Sequence, residues 1–144
     1  MAGSLRMIEN YEMSGDPARI DAALVHHWLS TDAYWALGRS REQQDRAIAA
    51  SMNFGGYGIA SGAQVAYARV LTDQVAFGWL CDVYVDRAVR GKGRGTALVT
   101  AVREELAPLG LRRVPLATED AHEVDEKAGF RPLEEPGKWM SYGR

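Results

Sequence analysis

A basic, glycine-rich loop limits the folds that this chain can adopt. The run RGKGRG at residues 90–95 follows a β-type stretch over residues 76–85 and precedes an amphipathic helix predicted over residues 95–107. Glycines allow the backbone N–H groups of such a loop to converge on an anion, and the helix adds the positive end of its dipole. This strand–loop–helix unit therefore predicts a phosphate-binding site within a fold that contains both strands and helices.

Positive charge is concentrated at this loop in a chain that is slightly acidic. The 144 residues carry 17 Lys and Arg against 19 Asp and Glu, for a formal net charge of −2. Between Asp86 and Arg94, basic residues outnumber acidic ones by four to one. A nucleic-acid-coating protein needs a broad excess of basic residues, and no aromatic platform accompanies the loop. We therefore expect a local anion site and no nucleic-acid partner.

Length and composition favour a cytoplasmic protein of one domain. A chain of 144 residues matches one ordinary domain, so we expect a single domain over residues 1–144. Its apolar stretches are interrupted well before the roughly 18 residues that a membrane span needs, and its N-terminus has no apolar signal region. Cys81 is the single cysteine, which is compatible with a reducing compartment. We expect no membrane partner, and the sequence leaves open whether the protein forms a homodimer.

Apolar periodicity and turn residues predict the order of the other elements. Upstream of the loop they predict a strand over residues 5–13, helices over 16–30 and 41–51, and an antiparallel three-stranded meander over 54–85. Downstream of the helix over 95–107 they predict a strand over 113–117, a helix over 121–128 and a hairpin over 130–142. This order predicts an α/β (α+β) fold in which a mixed, mostly antiparallel sheet is flanked by helices.

Local signals mark the beginnings of the first two predicted helices. Asp16 followed by Pro17 combines a good N-cap with proline at the first helical position. Ser40 and Gln43 have the spacing of a capping box. The helices are therefore separated by an aromatic loop over residues 31–39.

Two familiar phosphate-binding loops do not fit the residues present. A Walker loop ends in Gly-Lys-Ser/Thr, whereas Lys92 is followed by Gly93. A dinucleotide fingerprint needs Gly or Ala where Thr96 stands, and it follows the first strand of a βαβ unit rather than a meander. The pattern that fits is Arg/Gln-x-x-Gly-x-Gly/Ala, with Arg90 and Gly95 at its ends.

On this loop the chain resembles the GNAT acetyltransferase superfamily, in its small single-domain bacterial form. The resemblance implies a GNAT-like acyl-CoA N-acyltransferase fold with acetyl-CoA as the acyl donor. It implies that the pyrophosphate is held by the loop residues Arg90, Gly91, Lys92, Gly93, Arg94, Gly95 and Thr96. It also implies that the pantetheine arm pairs with a splayed strand, through the backbone of Val83 and Val85.

The resemblance continues downstream, with two departures. The family often ends in Asn-x-x-Ala-x-x-x-Tyr-x-x-x-Gly-Phe, and this chain keeps that spacing from Thr118 to Phe130 but has Thr118 in place of the asparagine and Asp125 in place of the tyrosine. An ordinary Asp has a pKa of about 3.9 and is an anion at neutral pH, whereas an ordinary Tyr, at about 10, keeps its proton. Protonation of the departing thiolate then rests on water, on Tyr84 or His122, or on an Asp125 whose pKa burial has raised.

The other candidate catalytic residues lie in the strand before the loop. The resemblance implies direct attack by the acceptor in a ternary complex, with the N–H of Val83 facing the carbonyl oxygen. Asp82 is the first candidate to accept the proton of the amine, and it alternates with Val83, so the two side chains face opposite sides of the sheet. Tyr84 shares the face of Asp82, as a proton donor or as packing. No histidine is placed beside Cys81, so we expect no covalent acyl-enzyme.

The sequence constrains the acceptor site less than the donor site. Tyr34, Trp35 and Arg39 are candidates for a wall of the acceptor pocket, because the early helices cover that pocket in GNAT folds, or for a loop anchored by aromatic burial. No metal site is expected. The predicted activity is transfer of an acetyl group from acetyl-CoA to a primary amine of a small molecule or peptide. The alternative is a non-catalytic acyl-CoA-binding or regulatory protein, which Asp125 keeps open.

Overall fold

An antiparallel sheet of five strands forms the centre of the protein, in a computed structural model that describes residues 4–91 and 93–143. The strands are β1 (Ser4–Ile8), β2 (Tyr11–Ser14), β3 (Met52–Gly58), β4 (Gln64–Thr72) and β5 (Gly78–Val85). They lie in chain order, and each pairs with the next in antiparallel register. The predicted three-stranded meander is therefore confirmed as β3, β4 and β5.

The N-terminal strand prediction is wrong in one respect, because two strands occupy that segment. Ile8 pairs with Tyr11, so the chain reverses at Glu9 and Asn10 and forms a hairpin of β1 and β2. Glu9 has a φ of 50°, in the left-handed region that non-glycine residues rarely adopt. The turn contains no glycine or proline, and the sequence therefore carried no strong signal for it.

Within the described residues, four α-helices flank the sheet: α1 (Ala22–Asp32), α2 (Arg41–Ala49), α3 (Arg94–Leu106) and α4 (His122–Lys127). The first helix begins later than predicted, because Asp16 caps only a single 3₁₀ turn and the N-cap of α1 is Asp21. The predicted capping box of α2 is confirmed, with Ser40 and Gln43 bonded reciprocally. None of the described helices is both long and apolar enough to cross a bilayer.

The C-terminal segment contains less strand than predicted. Residues 111–117 run beside the start of β5 and make a single bridge, in which Arg113 pairs with Phe77 in parallel. Pro115 has no N–H to donate to a ladder, which explains why a full strand does not form. The predicted hairpin over residues 130–142 is also wrong: that segment holds one 3₁₀ turn, and Pro136 begins it.

The helices divide into two layers, one on each face of the sheet. Helix α3 packs Leu98 and Val102 against apolar residues of β3 to β5, such as Phe54. On the opposite face, Trp28 and Leu29 of α1 lie in a second cluster with sheet residues Tyr67 and Tyr84. Strand β5 contributes side chains to both clusters, so it contacts both helical layers, one on each of its faces.

Candidate active site

A β-bulge interrupts β5 at Asp82 and Val83. Tyr67 pairs with Tyr84 and Arg69 pairs with Cys81, so two residues of β5 stand opposite one residue of β4. Asp82 adopts a φ of 54°, which is unusual for a residue other than glycine. The bulge turns the Asp82 side chain onto the face covered by α1 and α2, whereas Val83 packs with the cluster under α3. The prediction that Asp82 and Val83 face opposite sides of the sheet is confirmed.

Beyond the bulge, one edge of β5 has no strand partner among the described residues. The N–H of Asp86 donates to Val65 in β4, whereas the carbonyl of Val85 points to the other side and accepts a bond from Arg90 Nε at 2.8 Å. Because strand residues alternate, Val83 presents its backbone to the same side as Val85. We call this side the free edge of β5.

The neighbouring segment separates from β5 at this edge. The N–H groups of Gly78 and Leu80 donate to the carbonyls of Arg113 and Pro115, at 3.2 and 3.1 Å. After Pro115, no backbone hydrogen bond joins the described residues 116–121 to β5. The Tyr34 hydroxyl accepts a bond from the N–H of Glu119 at 2.9 Å, so the aromatic loop contacts this segment. The result is an opening in which an extended molecule can pair with free backbone groups.

The glycine loop lies at the end of this free edge. Gly91 and Gly93 have φ values of 89° and 76°, and a Cβ added at either would meet nothing within 4 Å. Gly93 is the N-cap of α3, and no described side chain caps the helix. In its first turn the N–H of Arg94 donates to the carbonyl of Gly91 at 3.4 Å, whereas the N–H groups of Gly95 and Thr96 have no acceptor among the described residues. These open N–H groups at the positive end of a 13-residue helix fit a phosphate group. Lys92 lies outside the described residues.

Gly95 lies between α4 and the end of β5. A Cβ at this position would meet Val124 of α4 at 3.4 Å and Val85 of β5 at 3.9 Å, which are ordinary van der Waals distances. The start of α3 therefore lies close to both elements, and the space at Gly95 admits a small side chain.

Two arginines of the loop are already engaged with protein groups. Arg94, which is 9% exposed, donates from Nη1 to the carbonyl of Val89 at 3.1 Å and stacks over the ring of Tyr11. Its guanidinium therefore lies beneath the loop and holds a loop carbonyl inward. Arg90 is more exposed, and its Nη2 lies 3.3 Å from Asp32 Oδ2 at the end of α1. Both contacts give the loop a defined shape.

Asp32 organises the outer end of β5. It accepts hydrogen bonds from Arg87 and from the Tyr84 hydroxyl, the latter at 2.6 Å. The Arg87 bonds, followed by that of Tyr84, hold the pKa of the Asp32 carboxyl far below its usual range. Burial and the bond to Asp32 raise the pKa of Tyr84, whose ring stacks on Trp28 at 5.3 Å. The proton of Tyr84 is thus engaged with Asp32, as expected for a packing residue.

Asp82 is the most strongly coordinated carboxylate of the site. It is 3% exposed and accepts bonds from Trp35 Nε1 at 2.7 Å, Arg39 Nη1 at 2.7 Å and Arg69 Nε at 2.6 Å. Burial by itself would raise its pKa, but the bonds from Arg39 and Arg69 outweigh burial and hold the pKa below its usual value. A carboxylate of this kind is a weak proton acceptor and a strong anchor for cations.

A cavity of about 420 Å³ opens beside this cluster. Its lining includes Trp35 and Arg39 from the aromatic loop and Arg69 from β4. Of the three residues predicted for an acceptor wall, Trp35 and Arg39 line it, whereas Tyr34 stacks edge-on against Trp35 and contacts Glu119. The cavity is linked to β5 through Asp82, because Arg39 and Arg69 of its lining both bond to that carboxylate.

Asp125 lies on α4 and is 7% exposed. Burial raises the pKa of its carboxyl, and the charge of His122 opposes that shift. The side chain accepts no hydrogen bond from the described residues. Asp125 is therefore a buried carboxyl without the compensating partners that Asp82 has.

Two residues of the site, Arg69 and Asp32, were missed by sequence reasoning. Arg69 stands in an otherwise apolar strand, and a buried charge there requires a partner, which is a signal that could have identified it. Asp32 carried no such signal, because its partners Arg87 and Arg90 are more than 50 residues away in the chain.

Comparisons with known proteins agree with this geometry. The model of the acetyltransferase (GNAT) family matches residues 22–130. A protein from Gibberella zeae, assigned provisionally as an acetyltransferase, is 30% identical over an alignment of 145 positions that spans 88% of this chain and 82% of that protein.

Solved structures show the same fold. The crystal structure of a GNAT-family protein from Xanthomonas campestris pv. campestris, also assigned provisionally as an acetyltransferase, is 38% identical, with a TM-score of 0.86 and 96% of each chain covered. A predicted acetyltransferase from Clostridium acetobutylicum, crystallised with acetyl-CoA, is 16% identical, with a TM-score of 0.67 over 93% of this chain and 95% of that one. The latter similarity concerns the fold alone.

Proposed function

Because the chain belongs to the acetyltransferase (GNAT) family, we propose that it transfers the acetyl group of acetyl-CoA to a primary amine of a small molecule or peptide. The amine attacks directly, in a ternary complex. One observation carries this proposal: the free edge of β5 leads into an open, left-handed glycine turn at the N-terminus of α3. The acetyl-CoA complex of the Clostridium acetobutylicum protein supports the choice of donor.

The loop residues hold the pyrophosphate of the donor. The backbone N–H groups of Gly93, Gly95 and Thr96 donate to the phosphate oxygens, because two left-handed glycines leave that surface open. Arg90, and Lys92 as predicted from the sequence, add positive charge. Arg94 acts from beneath by holding the carbonyl of Val89 inward.

The free edge positions the reacting group. Acetyl-CoA, when bound, supplies the thioester that the amine attacks. The N–H of Val83 donates to the acyl oxygen, where negative charge develops during attack. The backbone N–H of Val85 is available to the pantetheine arm, while its carbonyl stays bonded to Arg90.

Water carries the proton away from the amine. Asp82 was the first candidate for this step, but its two oxygens are committed to Trp35, Arg39 and Arg69 and its pKa is lowered. We therefore assign Asp82 a positioning role, in which it holds both arginines at the cavity. The cavity is open to solvent, and water has direct access to the amine.

Water also protonates the departing thiolate. The Tyr84 hydroxyl donates to Asp32 and is not free to supply this proton. Asp125 stands where the family commonly has tyrosine. Burial raises the pKa of its carboxyl, but a carboxyl still holds its proton less firmly at neutral pH than a phenol does. A thiolate at an open edge can take its proton from solvent.

Thiol release and donor binding, measured side by side, test this function. Free CoA is measured from acetyl-CoA across a broad panel of amines, and acetyl-CoA binding is measured by calorimetry. We expect binding, and thiol release above the rate without amine for at least one acceptor. Binding without turnover on any amine would indicate the non-catalytic alternative, and no binding at all would overturn the donor site.

A further inference from the structure

The cavity beside Asp82 has a charged wall and an apolar wall. Trp35, Leu37 and Ala47 contribute apolar surface, and Arg39 and Arg69 contribute their guanidinium groups. The volume of about 420 Å³ is that of a small-molecule site. A molecule bound here meets both kinds of surface at once.

The charge that faces the cavity is positive. No acidic residue is among its lining residues in the described part of the chain. The Asp82 carboxylate lies behind the arginines, with its side chain 1% exposed, whereas the side chains of Arg39 and Arg69 are 18% and 12% exposed. Two guanidinium groups against one carboxylate leave one positive charge uncompensated.

The arginines also keep unused hydrogen-bond donors. A guanidinium has five N–H donors. Arg69 uses Nε for Asp82 and Nη1 for Ser51 Oγ, at 2.6 and 3.1 Å, and its Nη2 has no acceptor among the described residues. Asp82 holds both guanidinium planes in place, which lowers the entropic cost of binding an anion.

We propose that the acceptor of this enzyme is an amine that also carries a carboxylate and an apolar side chain, as an α-amino acid does. The carboxylate binds Arg69 Nη2 and the neighbouring Arg39, and the apolar side chain contacts Trp35 and Leu37. This inference rests on the proposed acetyl transfer and names the substrate class. The same wall disfavours polyamines and other polycations, because their charges would face the arginines without an acidic partner.

Matched acceptors test the requirement for the carboxylate. Thiol release from acetyl-CoA is compared for amino acids with apolar side chains, their amides and the amines that lack the carboxyl group, each corrected for its unprotonated fraction. Leucine, leucinamide and 3-methylbutylamine form one such set, and the aminophosphonate analogue distinguishes a carboxylate from a phosphorus anion. We expect kcat/KM for the carboxylate to exceed that for the amide by about 10- to 100-fold, the range of one or two charge-assisted hydrogen bonds. Equal kcat/KM for the carboxylate and the amide would overturn the inference. A higher kcat/KM for the aminophosphonate than for the amino acid would show that the site selects a phosphorus anion, which would overturn the assignment of a carboxylate.

Variants of Arg69 test whether this residue causes the preference for the carboxylate over the amide. Arg69→Gln should bring the ratio of kcat/KM between carboxylate and amide close to one, and Arg69→Lys should keep part of it. Arg41→Gln is the matched control, because Arg41 lies on the exposed side of α2 and its one ion pair with a described residue is to Asp45. A ratio that survives in Arg69→Gln would overturn the assignment. Thermal unfolding and acetyl-CoA binding of each variant show whether it is folded.

Product binding separates this inference from the proposed function. Calorimetry with the wild-type protein compares N-acetyl amino acids with their amides and requires neither turnover nor a variant. Tighter binding of the carboxylate forms supports the inference even if no amine is acetylated, in which case the proposed function fails alone. Equal binding, or none, would overturn the inference even if other amines are acetylated.

Discussion

At the scale of single residues, the two acidic side chains singled out in the sequence have opposite environments. Asp82 is buried among Trp35, Arg39 and Arg69, which keep it ionised. Asp125 is buried without such partners, so burial favours its protonated form. The same residue type therefore serves as an anchor in β5 and as an isolated carboxyl in α4.

Asp82→Asn should lower the free energy of unfolding by about 3 kcal/mol, because it leaves two partly buried guanidinium groups without a counter-charge. The pKa of Asp82 is lower in the folded than in the unfolded protein. Its stabilisation is therefore complete above the unfolded value of about 3.9 and is lost as the pH falls through the folded value. Urea unfolding of both proteins should show a large difference at about pH 7 that shrinks in acid. Equal stability at neutral pH would contradict the anchor role.

Asp125→Tyr should retain acetyl-CoA binding and leave turnover equal or higher. A tyrosine at this position keeps its proton at neutral pH, whereas an ionised carboxylate repels a departing thiolate. Steady-state thiol release and calorimetry measure the two quantities. Glu126→Tyr, at the exposed neighbouring position, is the control. A large loss of turnover with binding intact would show that Asp125 itself contributes to catalysis.

At the scale of elements, the site depends on how β5 ends and how α3 begins. The bulge at Asp82 and Val83 bends β5, and residues 116–121 diverge from it, so the second half of the strand keeps unpaired backbone groups. Gly93 then starts α3 in a left-handed conformation, and the N–H groups of Gly95 and Thr96 have no acceptor among the described residues. The free edge of β5 and the N-terminus of α3 thus present unpaired backbone N–H groups one after the other.

Gly93→Asp should abolish acetyl-CoA binding while the protein stays folded. The substitution places a negative charge beside the helix N-terminus at a φ of 76°, where a Cβ meets nothing within 4 Å. Gly62→Asp is a matched control, since Gly62 has a φ of 73°, equally open space, and a place in the turn between β3 and β4. The backbone strain is similar in both, about 1 kcal/mol. Calorimetry should show loss of binding only for Gly93→Asp; equal binding by both variants would remove the loop from the donor site.

At the scale of the whole molecule, the sheet separates two helical layers that have different tasks. Helix α3 and the strands beneath it form the larger apolar cluster, which supports the glycine loop. Helices α1 and α2 and the aromatic loop cover the other face, where the arginine cavity lies. The proposed donor and acceptor sites are linked through β5, because Asp82 of that strand bonds to both arginines of the cavity.

Several elements were predicted correctly because their signals lie within a few residues. The Ser40 capping box, the meander and the glycine start of α3 depend on adjacent side chains and on local backbone freedom. The failures occurred where a local signal was absent or misleading. The turn at Glu9 lacks glycine, and Asp16 caps a 3₁₀ turn rather than α1.

The strand–loop–helix unit and the family resemblance can be inferred from the sequence alone, because glycines, charges and apolar periodicity act over short separations. The environment of Asp82, in contrast, depends on the fold. Its partners Trp35, Arg39 and Arg69 stand 47, 43 and 13 residues away in the chain, and folding alone brings them to one carboxylate. The pKa of that carboxylate depends on burial and on those partners, and neither quantity can be read from neighbouring residues.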